Sequence, residues 1–367
     1  MKPRVVVIGA GVMGASVAYR ASLGGASVTV LEAGRIGGGT SSCTFAWTNA
    51  NEKTPRAYYD LNLAGMKAHA ALAEEFGATP WWHGGGSVEW ETPDETPALK
   101  EKVARLQSWG YAAEWITPRQ LLELEPDIDP ACIGDAPIAY FPEEGWLDPV
   151  VYAGAMLGAA RSRGAQVFCA TRVSETVVQG SRVVGVKATD GRLFEADVVV
   201  NCAGRWVNDP ISDAGLHLPM ASTVGYLVFT PPVAARVGRV LRTPIIHVRP
   251  DGAGRLVCIE PQEAPPEFDP RPSAATEQAR EHIRRARALL PVIGDVEPEA
   301  ARMAIRPIPG DSYSAIGPVP RVDGYYLAIT HSGVTMAAFL GAAVADEIVH
   351  GRQRAELADF RPGRFFN

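Results

Sequence analysis

Residues 9–14 (GAGVMG) constrain the fold of this chain more than any other segment of its sequence. They follow an apolar, β-branched run over residues 4–8 and precede a helix-like stretch that continues to about Leu23. A Gly-Gly pair ends that stretch, and residues 27–31 have the composition of a second strand. This order predicts a βαβ unit, in which two parallel strands are joined by a helix packed on their sheet.

The three glycines and an acidic residue after the second strand indicate a dinucleotide site. Gly9 allows the tight turn, Gly11 lets the backbone approach a pyrophosphate, and Gly14 lets the helix pack closely on the strand. The carboxylate of Glu32, 18 residues beyond Gly14, is placed to accept hydrogen bonds from ribose hydroxyls. A 2′-phosphate would face this charge, so the sequence disfavours NADP and leaves FAD and NAD as alternatives.

Composition excludes several other classes of protein. The 367 residues are enough for two or three domains, and 35 basic against 41 acidic side chains give a net charge of −6, which provides no basic field for nucleic acid. No stretch of about 18 uncharged apolar residues predicts a membrane span, and the N-terminal residues do not resemble a secretion signal. The cysteines are too widely spaced for a disulfide framework or a zinc site: Cys43, Cys132, Cys169, Cys202 and Cys258. We therefore expect a cytoplasmic protein without a metal centre.

Helices and short strands alternate along the rest of the chain. Predicted helices cover residues 61–76, 99–109, 119–124, 150–163 and 274–290. Predicted strands cover residues 166–170, 173–179, 182–189, 196–202, 223–230, 245–249 and 256–259, and residues 324–350 predict a strand, a turn and a final helix. The early alternation and the later meander of strands predict an α/β protein, with a doubly wound parallel sheet and a second, mostly antiparallel sheet.

Four segments of the chain carry the motifs of one family. They are residues 5–34 (VVVIGAGVMGASVAYRASLGGASVTVLEAG), 37–42 (GGGTSS), 196–209 (ADVVVNCAGRWVND) and 305–348 (IRPIPGDSYSAIGPVPRVDGYYLAITHSGVTMAAFLGAAVADEI). In this order they resemble the FAD-dependent D-amino-acid oxidase superfamily, in particular its glycine oxidase and sarcosine oxidase branch, over nearly the full length of the chain. The resemblance implies an FAD enzyme that oxidises the C–N bond of an amino acid or secondary amine by hydride transfer to flavin N5, giving an imine.

Other functions stay open at this point. A flavin enzyme that oxidises a 2-hydroxy acid would use the same anchoring residues, and an NAD-linked dehydrogenase would use the same glycine turn. A catalytically idle FAD-binding protein is a third alternative. The implied partners are a small-molecule amine or amino acid and either oxygen or another electron acceptor. The sequence does not predict the oligomeric state.

The resemblance also implies how the chain is divided. We expect a Rossmann-like FAD-binding domain that is discontinuous in sequence, formed by residues 1–80, 146–220 and 310–367. Residues 81–145 and 221–309 are expected to form a smaller substrate-binding domain of the α+β type.

By the same resemblance, specific residues contact FAD. Around the ADP part and the pyrophosphate these are Gly9, Gly11, Val12, Met13, Gly14, Glu32, Ala33, Thr40, Ser41 and Ser42, with Val173 at the adenine. Farther along the cofactor they are Ala203, Gly204, Trp206 and Arg306, followed by Ser332, Gly333, Val334, Thr335 and Met336 of the C-terminal turn. A glycine turn that begins a helix directs N–H groups and a positive dipole end forward. This suits the flavin edge where negative charge develops on reduction.

Arg306 is the main candidate on the substrate side. It heads the segment RPIPGD, where the matching arginine of the amino-acid oxidase branch holds the substrate carboxylate, a role that suits a planar guanidinium. The other candidate catalytic residues are His331, His247, Tyr226 and Trp47. Residues 81–83 (WWH) are predicted either to join Trp47 in an aromatic wall around the substrate or to pack in the core.

Two departures from the family pattern carry expectations of their own. Ala304 stands where sarcosine-oxidase-like members carry a flavin-linking cysteine, so we expect non-covalent FAD. Some members use a lysine beside the flavin to promote the reaction with oxygen, but every lysine here precedes residue 188, outside the strands at 222–260 where it would be expected. The sequence therefore predicts slow reoxidation by oxygen, unless His331 or His247 supplies the positive charge.

Overall fold

A computed structural model gives the structure of residues 2–210, 216–260 and 267–366. Its α-helices are α1 (Val12–Leu23), α2 (Arg56–Phe76), α3 (Thr96–Ser108), α4 (Pro118–Leu124), α5 (Pro149–Arg161), α6 (Glu277–Leu289) and α7 (Gly333–His350). Its strands are β1 (Arg4–Ile8), β2 (Ser27–Leu31), β3 (Trp47–Thr48), β4 (Trp82–His83), β5 (Ser87–Glu89), β6 (Glu114–Ile116), β7 (Ile138–Phe141), β8 (Gly145–Leu147), β9 (Gln166–Phe168), β10 (Val173–Gln179), β11 (Arg182–Ala188), β12 (Leu193–Glu195), β13 (Val198–Asn201), β14 (Met220–Ala221), β15 (Val224–Phe229), β16 (Val240–Arg242), β17 (His247–Pro250), β18 (Leu256–Ile259), β19 (Ala300–Ile305), β20 (Ile308–Pro309), β21 (Ala315–Pro318) and β22 (Tyr325–Ile329). The predicted helices and strands are confirmed, with small differences at their ends.

The largest difference is the start of α2. The helix begins at Arg56, five residues before the predicted start at residue 61. Its first turn contains Tyr58 and Tyr59, both buried, and the Tyr59 ring packs edge-on against Trp109 with the ring centroids 4.8 Å apart. Tyrosine has only moderate helix propensity, so the sequence pattern does not mark this turn as helical. The packing of the two rings extends the helix.

A six-stranded sheet forms the first layer of the fold, in the order β21-β22-β13-β1-β2-β9. The strands β22, β13, β1, β2 and β9 run parallel, and β21 joins the edge antiparallel to β22. Successive residues of β1 point to opposite faces, so Val5 and Val7 pack with α1, α5 and α7, whereas Val6 and Ile8 pack on the other side. This is the parallel sheet that the glycine turn predicts.

A three-stranded antiparallel sheet, β10-β11-β12, covers the second face of the parallel sheet. Val173, Val183 and Val186 of this small sheet share a hydrophobic cluster with Val6 and Leu327 of the large one. The predicted α/β class is confirmed, with strands in place of helices on this one face. Strands can cover the sheet because the apolar residues of β10 and β11 lie together on one side.

The second large sheet has eight strands, in the order β19-β15-β18-β17-β16-β5-β7-β6. Neighbouring strands are antiparallel except for β16 and β5, which run parallel. One face packs against α6 and the turn after it, through residues such as Ile246 and Leu289. On the opposite face, Leu227 and Phe229 pack against Phe45, which lies just before β3. All eight strands fall within the two segments assigned from sequence to the substrate-binding domain.

Helix α7 packs closely on both α1 and α2. A Cβ atom at Gly341 of α7 would lie 2.6 Å from Cβ of Ser16 in α1, and a Cβ at Gly65 of α2 would lie 2.4 Å from the carbonyl oxygen of Thr335. The backbones of the three helices are therefore in direct contact at these crossings.

Among the described residues, α7 is also the helix that is long and apolar enough to cross a membrane by length and composition. However, 56% of it is buried inside the protein, where it contacts α1 and α2. Burial of this kind is typical of a core helix, which passes the same test of length and composition.

We predict that Gly341→Ala destabilises the protein, because the added methyl group would have to displace the backbone of α1 at Ser16. Overpacking of this kind costs about 1–3 kcal/mol. Gly158→Ala in α5 is the matched control, since nothing lies within 4 Å of a Cβ at that position and alanine favours a helix interior. In urea unfolding, the midpoint should fall for Gly341→Ala and stay equal or rise for Gly158→Ala. Equal midpoints for the two variants would contradict this description of the helix crossing.

Candidate active site

A cavity of about 400 Å³ lies at the carboxyl ends of β1, β2, β13 and β22, a position typical of ligand sites in open α/β sheets. Segment 38–44 and the first residues of α1 and α7 complete its walls. The predicted cofactor residues that line it are Gly9, Gly11, Val12, Met13, Glu32, Ala33, Thr40, Ser41, Val173, Ala203, Gly204, Trp206, Gly333 and Val334. The fold therefore brings most of the residues assigned to the cofactor to one cavity.

Glycine is required at two positions of the turn between β1 and α1. Gly9 has a φ of +97°, and a Cβ there would lie 2.7 Å from the carbonyl oxygen of Cys202. A Cβ at Gly14 would lie 1.9 Å from the carbonyl oxygen of Gly9. Gly14 does not line the cavity, but it lets α1 pack against the turn so that the helix begins at the cavity wall.

Glu32 and Ser41 hold this turn from two sides. The carboxylate of Glu32 accepts hydrogen bonds from the backbone N–H of Ala10, at 2.9 Å, and of Gly34, at 2.7 Å. The hydroxyl of Ser41 accepts from the N–H of Val12 at 3.2 Å. Each carboxylate oxygen can accept a second hydrogen bond, so Glu32 can order the loop and also receive a ribose hydroxyl.

Charged residues at the same end of the cavity were missed by the sequence analysis. Arg35, Arg172 and Asp209 all line the cavity, and an Nη1 atom of Arg172 lies 3.6 Å from Oδ2 of Asp209. They come from three separate segments, and although Asp209 ends the motif segment 196–209, the sequence analysis assigned no role to any of the three. Only the fold shows that they meet.

Besides Gly14, five residues assigned to the cofactor do not line the cavity: Ser42, Arg306, Ser332, Thr335 and Met336. The Ser332 hydroxyl lies 2.8 Å from the Tyr58 hydroxyl, and Thr335 Oγ1 accepts a hydrogen bond from the N–H of Asn49 at 3.4 Å. The Ser332 and Thr335 side chains hold the first turn of α7 through contacts outside the cavity lining. Met336 of the same turn is fully buried. The Ser42 hydroxyl likewise donates to the Gly39 carbonyl at 3.0 Å, within its own turn.

Arg306 lies where the cavity meets the eight-stranded sheet. Its side chain covers Gly225, since a Cβ at Gly225 would lie 3.4 Å from Nε of Arg306, and the following residue, Pro307, lines the cavity. Ala304 pairs with Gly225 across β19 and β15. Because paired residues share a face of the sheet, Ala304 also points to this side, and it offers no thiol there.

Tyr226 lies away from the site, contrary to the sequence-based hypothesis. Side chains alternate along β15, so Tyr226 points to the face opposite Gly225. Its ring packs edge-on against His282 of α6, with the centroids 5.2 Å apart, and its hydroxyl is 3.4 Å from Oγ1 of Thr276. Both faces of β15 are buried, so the apolar pattern of the strand could not reveal which one faces the cavity.

The segment 81–83 forms part of the core instead of a substrate wall. Trp81 is 2% exposed and packs edge-on against Phe76, at a centroid distance of 5.4 Å. Trp82 stacks on His69 at 5.5 Å, and His83 stacks on Trp146 at 3.7 Å. The core alternative for these residues is therefore the one that the structure supports.

Trp47 contributes to a buried cluster around Glu144, a residue that the sequence analysis missed. Nε1 of Trp47 donates to the Glu144 carboxylate at 2.8 Å, the Ser87 hydroxyl donates at 2.5 Å and the Tyr111 hydroxyl at 2.6 Å. Burial raises the pKa of Glu144 to about 7, although the three donors act in the opposite direction. The preceding residue, Glu143, is exposed, and nothing in the sequence distinguishes the two acids.

A network of four charges lies next to this cluster. An Nη1 atom of Arg242 is 2.5 Å from Oε1 of Glu52, and Nζ of Lys102 is 2.6 Å from Oε1 of Glu89. The guanidinium of Arg242 also lies over the Trp47 ring, 4.5 Å from its centroid.

His247 lies beside this network and does not line the cavity. Its ring centroid is 6.4 Å from that of Phe45. Burial, followed by the charge of Arg242, lowers the pKa of His247 to about 3. The imidazole is therefore neutral at neutral pH.

Lys53 lies near the candidate catalytic residues, although the sequence analysis placed no lysine there. Burial and the positive charges of Lys53 and Arg306 lower the pKa of His331, a cavity residue, to about 4. The strands at 222–260 hold no lysine, so slow reoxidation by oxygen stays a prediction, but Lys53 adds a positive charge that acts on His331. The lysine comes from the segment before α2 and not from the strands at 222–260.

The residues around the cavity fit the dinucleotide part of FAD. At Gly11, only Ser41 lies within 4 Å of a Cβ position, so the backbone is accessible to a pyrophosphate. The Glu32 carboxylate can accept hydrogen bonds from the hydroxyl groups of a ribose. The backbone N–H groups at the start of α1 can bond a phosphate, and those at the start of α7 can bond the carbonyl edge of a flavin. This set of donors and acceptors matches the chemistry of an adenine dinucleotide.

Comparison with known proteins agrees with the site. The family described as "FAD dependent oxidoreductase" (DAO) matches residues 4–347. The glycine oxidase of Geobacillus kaustophilus is 27% identical over 366 residues, which cover 97% of this chain and 95% of that relative. The glycine oxidase of Pseudomonas aeruginosa is 27% identical over 379 residues, with 96% of each chain covered.

The crystal structure of the G. kaustophilus glycine oxidase superposes on this chain with a TM-score of 0.87, 26% identity and 99% of each chain covered. The family match spans both large sheets, so it applies to the whole fold and not to the glycine turn alone. It confirms the predicted family and the choice of FAD over NAD. The chain therefore belongs to the DAO family of FAD-dependent oxidoreductases, as an enzyme of the amino-acid and amine class.

Proposed function

We propose that this enzyme oxidises the C–N bond of an amino acid, or of a secondary amine that carries a carboxylate, to an imine. The observation that supports this most strongly is the position of Arg306 beside the cavity, since the next residue, Pro307, lines the cavity and the charge of Arg306 acts on the cavity residue His331. Positive charge in a confined cleft attracts and retains a small anion. The similarity to two glycine oxidases favours an amine over a 2-hydroxy acid as the group that is oxidised.

The residues that line the cavity would hold FAD. Glu32 would accept hydrogen bonds from the ribose, Gly11 and Ser41 would lie beside the pyrophosphate, and the first turn of α7 would meet the carbonyl edge of the flavin. When bound, FAD supplies the acceptor for the hydride that leaves the α-carbon, at flavin N5. We further propose that FAD is held without a covalent bond, because Ala304 offers no nucleophile on this face.

Arg306 is proposed to bind the substrate carboxylate and thereby to orient the α-carbon. A guanidinium can bond both carboxylate oxygens at once, which fixes the direction of a small substrate. The charges of Arg306 and Lys53 also disfavour an ammonium ion beside them, so the substrate amine is held in the neutral form. His331, with a pKa lowered to about 4, adds no charge at neutral pH.

A cytoplasmic location is proposed as well, since all five cysteines are free. The proposed partners are the amine substrate and an electron acceptor, which is oxygen or a second redox carrier. The rate of oxygen consumption by the reduced enzyme distinguishes these two acceptors.

Non-covalent binding predicts that acid precipitation of the purified yellow protein releases all of its flavin. The supernatant should contain FAD, identified by its fluorescence increase after phosphodiesterase treatment. Flavin that stays in the protein pellet, or FMN in the supernatant, would count against this arrangement.

The proposed function predicts that amines carrying a carboxylate bleach the flavin when oxygen is absent. We expect glycine-like and N-alkyl amino acids to reduce the flavin and to yield a 2-oxo acid together with ammonia or a free amine. A parallel set of 2-hydroxy acids is the control. Bleaching by the hydroxy acids alone, or by neither set, would exclude amine oxidation.

Arg306→Ala is expected to lower the efficiency of flavin reduction by a carboxylate substrate. Loss of one partner of a desolvated charge pair costs about 2–5 kcal/mol, which corresponds to about 30-fold to several thousand-fold in rate. Arg306→Lys should recover part of the loss, because lysine restores the positive charge but cannot form the bidentate pair of hydrogen bonds that a guanidinium forms with a carboxylate. Arg302→Ala is the matched control, since Arg302 lies four residues earlier and donates to the Ser42 carbonyl at 3.1 Å.

The effect should depend on the substrate carboxylate. With the corresponding amide as substrate, Arg306→Ala and the parent should reduce the flavin at similar rates in stopped-flow measurements. Equal rates with the carboxylate substrate would show that Arg306 does not bind it.

A further inference from the structure

His69 of α2 is a buried histidine, 1% exposed, that contacts the start of α7. Its Nε2 atom lies 2.9 Å from the carbonyl oxygen of Val334, and its Nδ1 atom has no hydrogen-bond partner in the described part of the chain. Because a carbonyl only accepts, Nε2 carries the hydrogen and Nδ1 is a bare acceptor. Burial lowers the pKa of His69 to about 4, which agrees with a neutral ring.

An apolar ring would fill the position of His69 at a lower cost. The imidazole stacks on Trp82 with the ring centroids 5.5 Å apart, and Tyr152 packs edge-on against it at the same distance. A buried acceptor without a donor costs about 1–3 kcal/mol, whereas phenylalanine would keep both ring contacts without that cost. What the histidine adds is the hydrogen bond to Val334.

The face of α2 that carries His69 fixes the first turn of α7. Gly65, one helical turn before His69, lets the two backbones meet, since a Cβ there would lie 2.4 Å from the carbonyl oxygen of Thr335. Tyr58, farther along the same face, lies with its hydroxyl 2.8 Å from the Ser332 hydroxyl. The hydrogen bond of His69 therefore belongs to a set of contacts that hold this turn.

The first turn of α7 presents uncapped N–H groups to the cavity. The N–H of Met336 bonds the Ser332 carbonyl at 3.0 Å and is the first that bonds within the helix. The three N–H groups before it belong to Gly333, Val334 and Thr335. The side chain at the N-cap bonds none of them. Gly333 and Val334 line the cavity, so a ligand there can accept from this turn.

One peptide group connects His69 to these donors. The carbonyl of Val334 and the N–H of Thr335 belong to the same peptide group. A hydrogen bond to the carbonyl polarises this group, so that its N–H donates more strongly. A ligand that gains negative charge is stabilised most by such a donor. In the proposed function, that ligand is the carbonyl edge of the flavin.

We propose that His69 raises the electron affinity of bound FAD by donating a hydrogen bond to the carbonyl of Val334. Because it acts through the start of α7, His69 is a positioning residue. This inference rests on the proposed function, in which the first turn of α7 meets the flavin. It adds a residue that lies outside the cavity lining and outside the four motif segments, and that sets how readily the flavin is reduced.

The two-electron midpoint potential of the FAD-loaded enzyme tests this inference. It can be measured by equilibration with a redox dye during slow anaerobic reduction, without an amine substrate. His69→Phe keeps the ring contacts and removes the donor, and His69→Gln places an amide N–H near the position of Nε2. Tyr59→Phe is the matched control, because the Tyr59 hydroxyl on α2 is buried without a hydrogen-bond partner among the described residues.

His69→Phe should lower the equilibrium constant for flavin reduction by about 2- to 5-fold, a fraction of one charge-assisted hydrogen bond. For a two-electron couple this corresponds to a midpoint potential about 9–21 mV more negative. His69→Gln should recover most of the shift, and Tyr59→Phe should show none. Thermal unfolding should show His69→Phe to be as stable as the parent or more stable, because the unpartnered acceptor is removed.

A second measurement on the parent enzyme does not require a folded His69→Phe variant. Nitrogen-15 NMR of the histidine side chains, with His69 assigned by the signal lost in His69→Gln, should show a neutral ring with its hydrogen on Nε2. A hydrogen on Nδ1 alone would overturn the inference, since Nε2 could then not donate to the carbonyl.

Two further results would overturn it: a midpoint potential of His69→Phe equal to or above that of the parent, or an equal shift in Tyr59→Phe. Because the potential is measured without an amine, the two proposals fail separately. A shifted potential in an enzyme that no amine reduces contradicts the proposed function alone. Amine oxidation with an unshifted potential in His69→Phe contradicts the role of His69 alone.

Discussion

Close backbone contact at the turn between β1 and α1 is the constraint on which the rest of the site depends. Gly14 leaves room for the carbonyl of Gly9, and this brings the start of α1 to the end of the parallel sheet. The same kind of contact recurs where α7 crosses α1 at Gly341 and Ser16. As a result, two helices begin at one cavity, and the N–H groups at their ends are available to two chemically different parts of a dinucleotide.

A buried cluster around Glu144, outside the cavity, connects both layers of the fold. Glu144 accepts hydrogen bonds from Trp47, which belongs to the segment leading to α2, and from Ser87 of the eight-stranded sheet. Tyr111 bonds Glu144 and also accepts from the N–H of Ala50. This buried carboxylate therefore holds the segment that carries Lys53 at a fixed position relative to the sheet that carries Arg306. The cationic environment of His331 follows from that arrangement.

Sequence patterns predict the fold and the cofactor half of the site well, because these depend on local signals. The glycine turn, the position of Glu32 and the start of α7 each follow from spacing within a short segment. The substrate half depends on contacts between distant segments, and here the sequence was less informative. Tyr226 was assigned to the site by the family resemblance, and the burial of both faces of β15 gave no sign that its side chain points away from the cavity. Lys53 was overlooked because a lysine was expected only in one group of strands. Glu144 gave no signal at all, since its role comes from burial among donors that lie far apart in the chain.

The measurement that tests this account most directly is a crystal structure of the FAD-loaded enzyme with (methylthio)acetate bound, an unreactive analogue in which sulfur replaces the amine nitrogen. The account predicts FAD along the cavity between Glu32 and Gly333, with the carboxylate of the analogue on Arg306. A carboxylate that does not contact Arg306, or FAD bound outside this cavity, would contradict it.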